Sequence, residues 1–347
     1  MKTKAVDIAR ALGISKATVS LALNGKPGVS EKTRREVEEC RKRLEEGETL
    51  VQASLRDGSE TTAFRQIKVV RVINGMKNAQ NAELDLWTDV NRVFVKNLKE
   101  NGYSLGLCYV DFREHNSSAM VAECNGEDVA GVIIFGTELL EENVAVLDRI
   151  HKPLVIYDTV PKTNRYPVIV IDNRQGVELA VEELMSKGNK EICYLSNPMP
   201  MYNYLSRQRG FLESMKNRGF GDASDRIFSI GSSIEECRQS MLQYFRSHML
   251  PDAFIAESYH VTMGTVMAAN ELGIRIPEDV SLIGIDALPR YLTGGLAVTS
   301  VRVPHTERAY WTVQLLLKEI RHPVGEKCRL YTNCVLVEGE SVRRKDG

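Results

Sequence analysis

The first 45 residues have apolar positions at helical spacing, interrupted twice by turn-forming residues. Ser15 can cap a second helix that ends at Leu23, and Ser30 can cap a third. The run Asn24 to Gly28 between them is dense in turn formers. The pattern therefore predicts three short helices with a tight first turn, a helix-turn-helix unit. Its apolar core is expected at Val6, Ile8, Ala9, Leu12, Val19, Leu23, Val37 and Leu44.

The next segment, residues 45–64, is polar and contains several Gly and Thr residues, a composition typical of a connection between domains. Leu50, Ala53 and Leu55 nevertheless lie on a short amphipathic stretch, which is too short to be a stable helix alone but able to fold on a partner. A passive tether and a segment that orders on binding both fit this pattern.

From Ile67 onward, apolar runs rich in β-branched residues alternate with helical stretches. Alternation over this length predicts parallel sheets covered by helices on both faces, as in doubly wound folds. The pattern breaks between Asp158 and Val168, where we expect one lobe to end and a second to begin. The predicted strands are IKVVRVI, YSLGLCYV, VAGVIIFG, PLVIYDTV, VIVID, EICYLS, DAFIA and VSLIGID.

A length of 347 residues fits a small domain joined to a large one. We predict an all-α headpiece at 1–46, a linker at 47–60 and an α/β domain of two doubly wound lobes at 61–347. The hydrophobic fraction of 43% is that of a globular protein. No apolar stretch approaches the roughly 18 residues of a membrane span, and no signal-peptide core precedes the headpiece. A cytoplasmic location is therefore expected.

The cysteines and histidines give no sign of a disulfide framework or a metal site. The seven cysteines include no C-x-x-C pair, so we expect them to be reduced packing residues. The six histidines show no metal-ligand spacing, and the chain lacks the glycine-rich, nucleophile-elbow and H-E-x-x-H motifs of common enzymes. No metal, cofactor or enzymatic activity is predicted.

The net charge of −1 conceals an asymmetry, because residues 1–35 contain eight basic residues and only two acidic ones. A basic head on a near-neutral body suggests a polyanion partner for the head alone. A helix-turn-helix unit presents its second helix to the major groove of DNA, where residues near the helix N-terminus reach base edges. An ordinary helical hairpin with a solvated charged surface has the same spacing, so the pattern alone leaves both interpretations open.

The stretch DIARALGISKATVSLALNGKPGVSEKTRREV resembles the DNA-binding headpiece of the LacI/GalR (lactose-repressor) family. The family pattern D-[IV]-A-x-x-[AL]-G-[IV]-S-x-x-T-V-S-x-x-L-N is filled from Asp7 to Asn24. The resemblance implies sequence-specific binding of double-stranded DNA, with bases contacted by Lys16, Ala17 and Leu21. Contacts to the DNA backbone are implied for Ser15, Thr18, Ser20, Asn24 and Thr33.

The chemistry of the implied base contacts limits which bases they can recognise. Lys16 can donate to guanine, Ala17 can pack on a thymine methyl, and Leu21 offers apolar contact only. In the family, a leucine of the hinge helix wedges into the minor groove, and Leu55 takes that position here. The hinge is expected to differ from its relatives in DNA preference, because Glu48 and Thr49 replace the family's usual Pro-Asn start and Gln52 replaces a small alanine.

The chain from NGYSL at 101–105 to AVTSVRVP resembles the periplasmic-binding-protein-like sensor of the same family, through VAGVIIFG, KPLVIYD, VIVIDN, SRQRGF and PEDVSLIGID. The resemblance implies three crossings between the lobes, near Asp158, near Thr299 to Arg302 and near residue 330. It also implies a cleft that binds a small polar effector, such as a carbohydrate, at the strand ends. We expect a homodimeric repressor of a palindromic operator.

Several residues are candidates for effector contacts. Arg207, in the family's R-x-x-G position, can hold hydroxyls or an anion as a fork. Asp286 ends a strand and matches an acidic ligand contact of the family, which suits paired hydroxyls. Trp87 falls where the family places an aromatic residue in the cleft. Each also has a structural interpretation, as a surface arginine, a turn cap or a core tryptophan. The remaining candidates are Thr137, Asp158, Ser258 and Tyr259.

Two other functions share this fold. A solute-binding protein of a transporter would carry a signal peptide and no DNA-binding head. A regulator whose sensor binds a protein corepressor instead of a small molecule also fits, because Ser258 and Tyr259 replace an Asn-Asp pair of many relatives. The same replacement argues against a standard hexose as the effector.

Overall fold

The computed structural model describes residues 5–12, 14–45, 65–74, 86–114, 116–323 and 326–344. The chain divides into two compact units, residues 1–64 and 65–347. Among the described helices, none has the length and apolar composition needed to cross a membrane.

The described part of the first unit contains three helices, and polar caps fix the starts of the second and third. The helices are α1 (Ala5–Leu12), α2 (Lys16–Leu23) and α3 (Glu31–Glu45). Ser15 Oγ accepts a hydrogen bond from the Thr18 backbone N–H at 3.0 Å. Ser30 Oγ accepts one from the Thr33 backbone N–H at 3.1 Å. Both predicted caps are therefore confirmed.

A small apolar core holds these three helices together. Leu23 was predicted to be buried with Val19 but packs only partly against this core. The reason is that Ala22, three residues after Val19, occupies the core-facing position on α2. The side chains of Val6 and Leu44 lie outside the described residues. The buried members of the core are Ile8, Val19, Ala22, Val37 and Cys40.

The second unit is built on two six-stranded sheets. Its strands are β1 (Gln66–Ile73), β2 (Ser104–Asp111), β3 (Val129–Phe135), β4 (Leu154–Tyr157), β5 (Val168–Ile171), β6 (Ile192–Ser196), β7 (Ile227–Ser229), β8 (Ala253–Ala256), β9 (Ser281–Ile285), β10 (Thr299–Arg302), β11 (Arg329–Thr332) and β12 (Val335–Val337). Its α-helices are α4 (Leu86–Glu100), α5 (Ser117–Cys124), α6 (Asn173–Ser186), α7 (Tyr202–Asn217), α8 (Ile234–Ser247), α9 (Tyr259–Leu272) and α10 (His305–Arg321). Short 3-10 helices span Phe112–Glu114, Glu141–Arg149, Ser224–Arg226 and Arg290–Leu292.

Each sheet forms the centre of one lobe. The first lobe has the strand order β11-β5-β4-β3-β1-β2, and all neighbouring strands are parallel. The second lobe has the order β12-β10-β9-β8-β6-β7, in which only β12 is antiparallel to its neighbour. Central strands such as β4 and β8 are buried at every position, as expected for sheets covered on both faces. The predicted fold of two doubly wound lobes is confirmed.

The chain passes between the lobes three times, after β5, after β10 and after β11. The second and third crossings follow Arg302 and Thr332, close to the predicted positions. The prediction for the first crossing was wrong: it lies at Asp172 and not at Asp158, because β5 pairs with β4 in the first sheet. The turn-forming residues 159–164 belong to a loop inside the first lobe.

Candidate DNA-binding surface and interlobe site

The residues of α2 predicted to contact DNA lie on the side of the helix away from the buried Val19 and Ala22. Ser15, Lys16, Ala17, Ser20 and Asn24 are exposed, and Thr18 and Leu21 are half-buried. The predicted backbone contact Thr33 is half-buried in the first turn of α3, with its hydroxyl 2.8 Å from Ser30 Oγ. Leu55, Glu48 and Gln52 lie outside the described residues.

Exposed basic side chains accompany this surface: Lys16, Lys26, Lys32 and Arg35. Lys32 lies 3.9 Å from Glu36, whereas Lys16 forms no ion pair with any residue that the structure describes. An exposed helix start that carries hydroxyls, backbone amides and an unpaired cation suits contacts to DNA phosphates and base edges.

In each lobe, one central strand ends at an aspartate with a left-handed backbone. Asp158 follows β4 in the first lobe, Asp286 follows β9 in the second, and both have a φ of 74°. Within the described ranges, no other residue except glycine has a positive φ. Aspartate tolerates this conformation better than most residues, but the strain still costs about 1–3 kcal/mol. Strain of this kind is concentrated at functional sites, which directs attention to these two strand ends.

The carboxylate of Asp158 is held by two partners. Thr137 Oγ1 donates a hydrogen bond to Asp158 Oδ2 at 2.6 Å, and Arg308 forms an ion pair with Oδ1. The Arg308 guanidinium, only 1% exposed, also lies 4.6 Å above the centre of the Tyr157 ring. Burial alone would raise the pKa of Asp158, but Arg308 and Thr137 outweigh it and hold the pKa below its ordinary value. Asp158 is therefore an ionised carboxylate that is already paired.

His305 connects this pair to the other lobe. Arg308 Nη2 lies 3.1 Å from His305 Nδ1, and His305 Nε2 lies 3.3 Å from Asp286 Oδ1. A guanidinium can only donate, so Nδ1 accepts, and the proton of a neutral imidazole must sit on Nε2 and point to the carboxylate. The hydrogen bonds thus run continuously from Asp158 to Asp286.

A second polar connection starts at Arg207, which is 4% exposed on α7. Its Nε donates to Asn173 Oδ1 at 2.9 Å, and its Nη1 donates to the backbone oxygen of Glu257 at 2.8 Å. Asn173 Nδ2 donates to Asn203 Oδ1 at 2.8 Å. Asn203 Nδ2 in turn donates to the backbone oxygen of Asp158 at 3.2 Å. This connection fixes the orientation of the Arg207 guanidinium.

The carboxyl group of Glu257 is fully buried behind Arg207. It accepts hydrogen bonds from the Asn197 backbone N–H at 2.6 Å, from the Tyr194 hydroxyl at 2.9 Å and from Gln208 Nε2 at 3.3 Å. Burial raises its pKa to about 7, although the Asn197 N–H and Arg207 act in the opposite direction. Near neutral pH this group therefore carries only part of a negative charge.

The structure brings four of the predicted effector-contacting residues into this one network: Thr137, Asp158, Arg207 and Asp286. Ser258 and Tyr259 are buried at the start of α9, directly after Glu257. Trp87 belongs to α4, but its side chain lies outside the described residues. A groove of about 770 Å³ between the lobes shares Asn173 with the network, a size suited to a small ligand.

Sequence reasoning missed five members of the network: Asn173, Asn203, Glu257, His305 and Arg308. Local spacing does not distinguish a buried arginine from a surface one, and the Arg308 ion pair spans 150 positions of sequence. Glu257 carried one usable signal, since it directly follows a predicted strand. No group of three or more His, Cys, Asp or Glu residues suited to a metal ion occurs within the described ranges.

Both units of the chain match known protein families. Residues 6–45 match the family "Bacterial regulatory proteins, lacI family", and residues 181–342 match "Periplasmic binding protein-like domain". The HTH-type transcriptional repressor PurR of Escherichia coli O139:H28 (strain E24377A / ETEC) is 26% identical over 340 residues, which cover 97% of this chain and 96% of that protein.

Solved structures of similar fold also extend over both units. The lac repressor dimer bound to operator and the anti-inducer ONPF has a TM-score of 0.67 at 20% identity and covers 99% of this chain and 100% of that one. The complex of the transcriptional regulator CelR with cellobiose has a TM-score of 0.69 at 21% identity, covering 98% and 99%.

A helix-turn-helix head joined to a two-lobed binding-protein-like domain defines a class of DNA-binding transcription regulators. The chain belongs to the LacI/GalR family of these regulators. The family resemblance stated from the sequence is thereby confirmed.

Proposed function

We propose that this protein is a cytoplasmic repressor that binds a palindromic operator as a homodimer and is controlled by a neutral, hydroxyl-rich small molecule held between its lobes. The observation that carries the ligand class is the arrangement of Arg207 and Asp286 in the second lobe. Each offers unused hydrogen-bonding capacity, whereas Asp158 of the first lobe is already paired with Arg308.

Arg207 and Asp286 lie close enough to interact but do not pair directly. Burial lowers the pKa of Arg207, and Asp286 is the foremost of the charges that raise it above its ordinary value. Nevertheless, no ion pair within 4.0 Å joins them in the described structure. Arg207 Nη2 and Asp286 Oδ2 form no hydrogen bonds with described residues. A donor and an acceptor therefore remain for a ligand.

The charges around this gap favour a neutral ligand. Asp158 and Arg308 cancel each other, His305 is neutral in its bridging form, and Arg207 balances Asp286. Burial leaves Glu257 with only part of its negative charge. An anion would be repelled by Asp286, and a cation would be repelled by Arg207. A polyol supplies hydroxyl donors to the carboxylate and hydroxyl oxygens to the guanidinium without adding charge. The CelR structure, which has the same fold, holds a sugar of this class.

The ligand class can be tested with full-length protein by isothermal titration against neutral mono- and disaccharides, matched sugar phosphates and amino sugars. We expect a neutral sugar to bind. Asp286→Asn should weaken that binding about 10- to 100-fold, because hydrogen bonds to a charged group contribute about 1.5–3 kcal/mol. Asp222→Asn, at an exposed aspartate of the same lobe, is the control and should leave binding unchanged. Binding of sugar phosphates alone would contradict the proposed ligand class.

For the DNA-binding unit, we propose that Lys16, Ala17 and Leu21 contact bases. Ser15, Thr18, Ser20, Asn24 and Thr33 are proposed to contact the DNA backbone, and Leu55 the minor groove. The support is the exposed surface of α2, on which Lys16 has no ion-pair partner among the described residues.

Lys16→Ala should weaken binding to an operator selected from a randomised DNA library by about 1–3 kcal/mol, because a side-chain contact to guanine is lost. The measurement is a fluorescence-anisotropy titration at fixed salt, since phosphate contacts make affinity salt-dependent. Lys32→Ala, which removes an exposed cation near Glu36, serves as the control and should change affinity equally for specific and unrelated DNA. Unchanged operator affinity in Lys16→Ala would exclude the assigned base contact.

A further inference from the structure

We propose that Arg308 and His305 are positioning residues that couple ligand contact at Asp286 to Asp158 of the first lobe. The four residues Asp158, Arg308, His305 and Asp286 are called the interlobe bridge. The inference rests on the proposed ligand contact at Asp286 and adds to it a route by which the first lobe responds to that contact.

The interlobe bridge joins the ends of two strands that belong to different sheets. Asp158 ends β4 in the first sheet, and Asp286 ends β9 in the second. Between them lies the first turn of α10, the helix that begins after the second crossing and packs its Ala309 and Val313 into the first lobe. The bridge is thus anchored in both lobes and at the crossing between them.

The guanidinium of Arg308 donates hydrogen bonds to two side chains. Its Nη1 and Nη2 are used by Asp158 and His305, while its Nε is buried without a hydrogen bond in the described structure. In such a low-dielectric site, breaking a charged hydrogen bond is costly and neighbouring hydrogen bonds strengthen one another. Any change in the acceptor strength of His305 therefore alters how firmly Arg308 is held by Asp158.

A ligand hydroxyl at Asp286 would produce such a change. When the carboxylate shares its negative charge with a ligand donor, its hydrogen bond to His305 Nε2–H weakens, and His305 Nδ1 becomes a poorer acceptor. Arg308 then depends more strongly on Asp158. The first lobe thereby responds to a ligand that binds the second lobe, as allosteric control requires differential contacts in two states.

The test is a double-mutant cycle between two carboxylates whose side chains do not bond to each other. Asp158→Asn and Asp286→Asn are made singly and together in the full chain, and urea unfolding is followed by tryptophan fluorescence. Both tryptophans, Trp87 and Trp311, belong to the second unit, so the signal reports that unit. If the two substitutions acted independently, their effects on the unfolding equilibrium constant would multiply. We expect the constant of the double variant to be about tenfold smaller than that product, a coupling within the range for networked residues.

The same cycle in a His305→Phe background provides the decisive comparison. Phenylalanine keeps an aromatic ring but removes both hydrogen bonds, so the coupling should disappear. Direct repulsion between the two carboxylates would give coupling of the opposite sign and would survive His305→Phe. Three results would each overturn the interlobe bridge. They are additive effects of the two substitutions in the parent chain, a coupling of the opposite sign, and a coupling that persists in the His305→Phe background.

A spectroscopic measurement covers the case in which a variant fails to fold. Side-chain ¹⁵N NMR of the unmodified chain should show His305 as the neutral Nε2–H tautomer, and an Nδ1–H tautomer or a doubly protonated ring at pH 7.5 would contradict the bridge. The proposed ligand class is tested separately by the sugar titrations. If the protein binds no neutral sugar but shows the coupling, the interlobe bridge is supported and the proposed ligand class is wrong.

Discussion

Arg308→Met should destabilise the second unit by about 3–5 kcal/mol, the cost of removing one partner of a buried ion pair. Methionine keeps most of the apolar length of the side chain and loses the guanidinium that lies over the Tyr157 ring, so the loss of volume is small. The charge is the dominant effect, because Asp158 is left buried with only Thr137 as a side-chain hydrogen-bond partner. Urea unfolding followed by tryptophan fluorescence measures the change.

A second substitution separates loss of charge from loss of packing. Adding Asp158→Asn to Arg308→Met removes the uncompensated carboxylate, and the pair should recover most of the lost stability. Arg302→Met, at an exposed arginine on the preceding strand, should shift the free energy of unfolding by no more than about 0.5 kcal/mol. If the double variant is as unstable as Arg308→Met alone, the cost arises from packing and the electrostatic explanation fails.

Ile8→Ala should abolish operator binding while leaving the second unit folded. Truncating a fully buried isoleucine costs about 2–5 kcal/mol, and Ile8 is completely buried in a core whose described part has five buried residues. A unit this small has little stability in reserve. We therefore expect α1 to α3 to unfold near 37 °C, which removes the surface that carries Lys16.

The measurement combines operator titration with tryptophan-detected unfolding on the same sample. Operator affinity should be lost. The urea midpoint reported by the two tryptophans of the second unit should not move, because Ile8 belongs to the first unit. Glu38→Ala, an exposed change on α3, is the matched control in the same unit and should bind DNA normally. Normal operator affinity in Ile8→Ala at 37 °C would show that the headpiece core is more stable than its size implies.

Structural features that are set by residues close together in the sequence could be predicted from it. The caps at Ser15 and Ser30 were predicted because a hydroxyl before a helix satisfies backbone amides three residues later. The parallel sheets followed from the alternation of strands and helices. The first crossing was misplaced at Asp158 because a loop rich in turn formers has the same local pattern whether it stays within a lobe or leaves it.

The interlobe site could be predicted only in part for a related reason. Asp286 was identified because it ends a strand at a position that matches an acidic ligand contact of the family. Asp158 was a further candidate for the cleft, where ligands bind at strand ends. Arg308 and His305 were missed because their partners are set by tertiary packing, across 150 positions in the case of Asp158. The pairing of Arg308 with Asp158 also changes the role expected for Asp158, since its carboxylate is already neutralised by the protein.

The three crossings mean that neither lobe is a continuous piece of the chain. The first lobe needs β11 from the end of the sequence, and the second needs β12 after it. A protease that cuts one crossing would therefore leave the lobes linked by the other two, and a nicked molecule should migrate as a single particle until denatured. Truncation at Asp172 would produce a first lobe without the outer strand β11 or the covering helix α10. The two lobes can be separated genetically only by fusing distant segments of the chain.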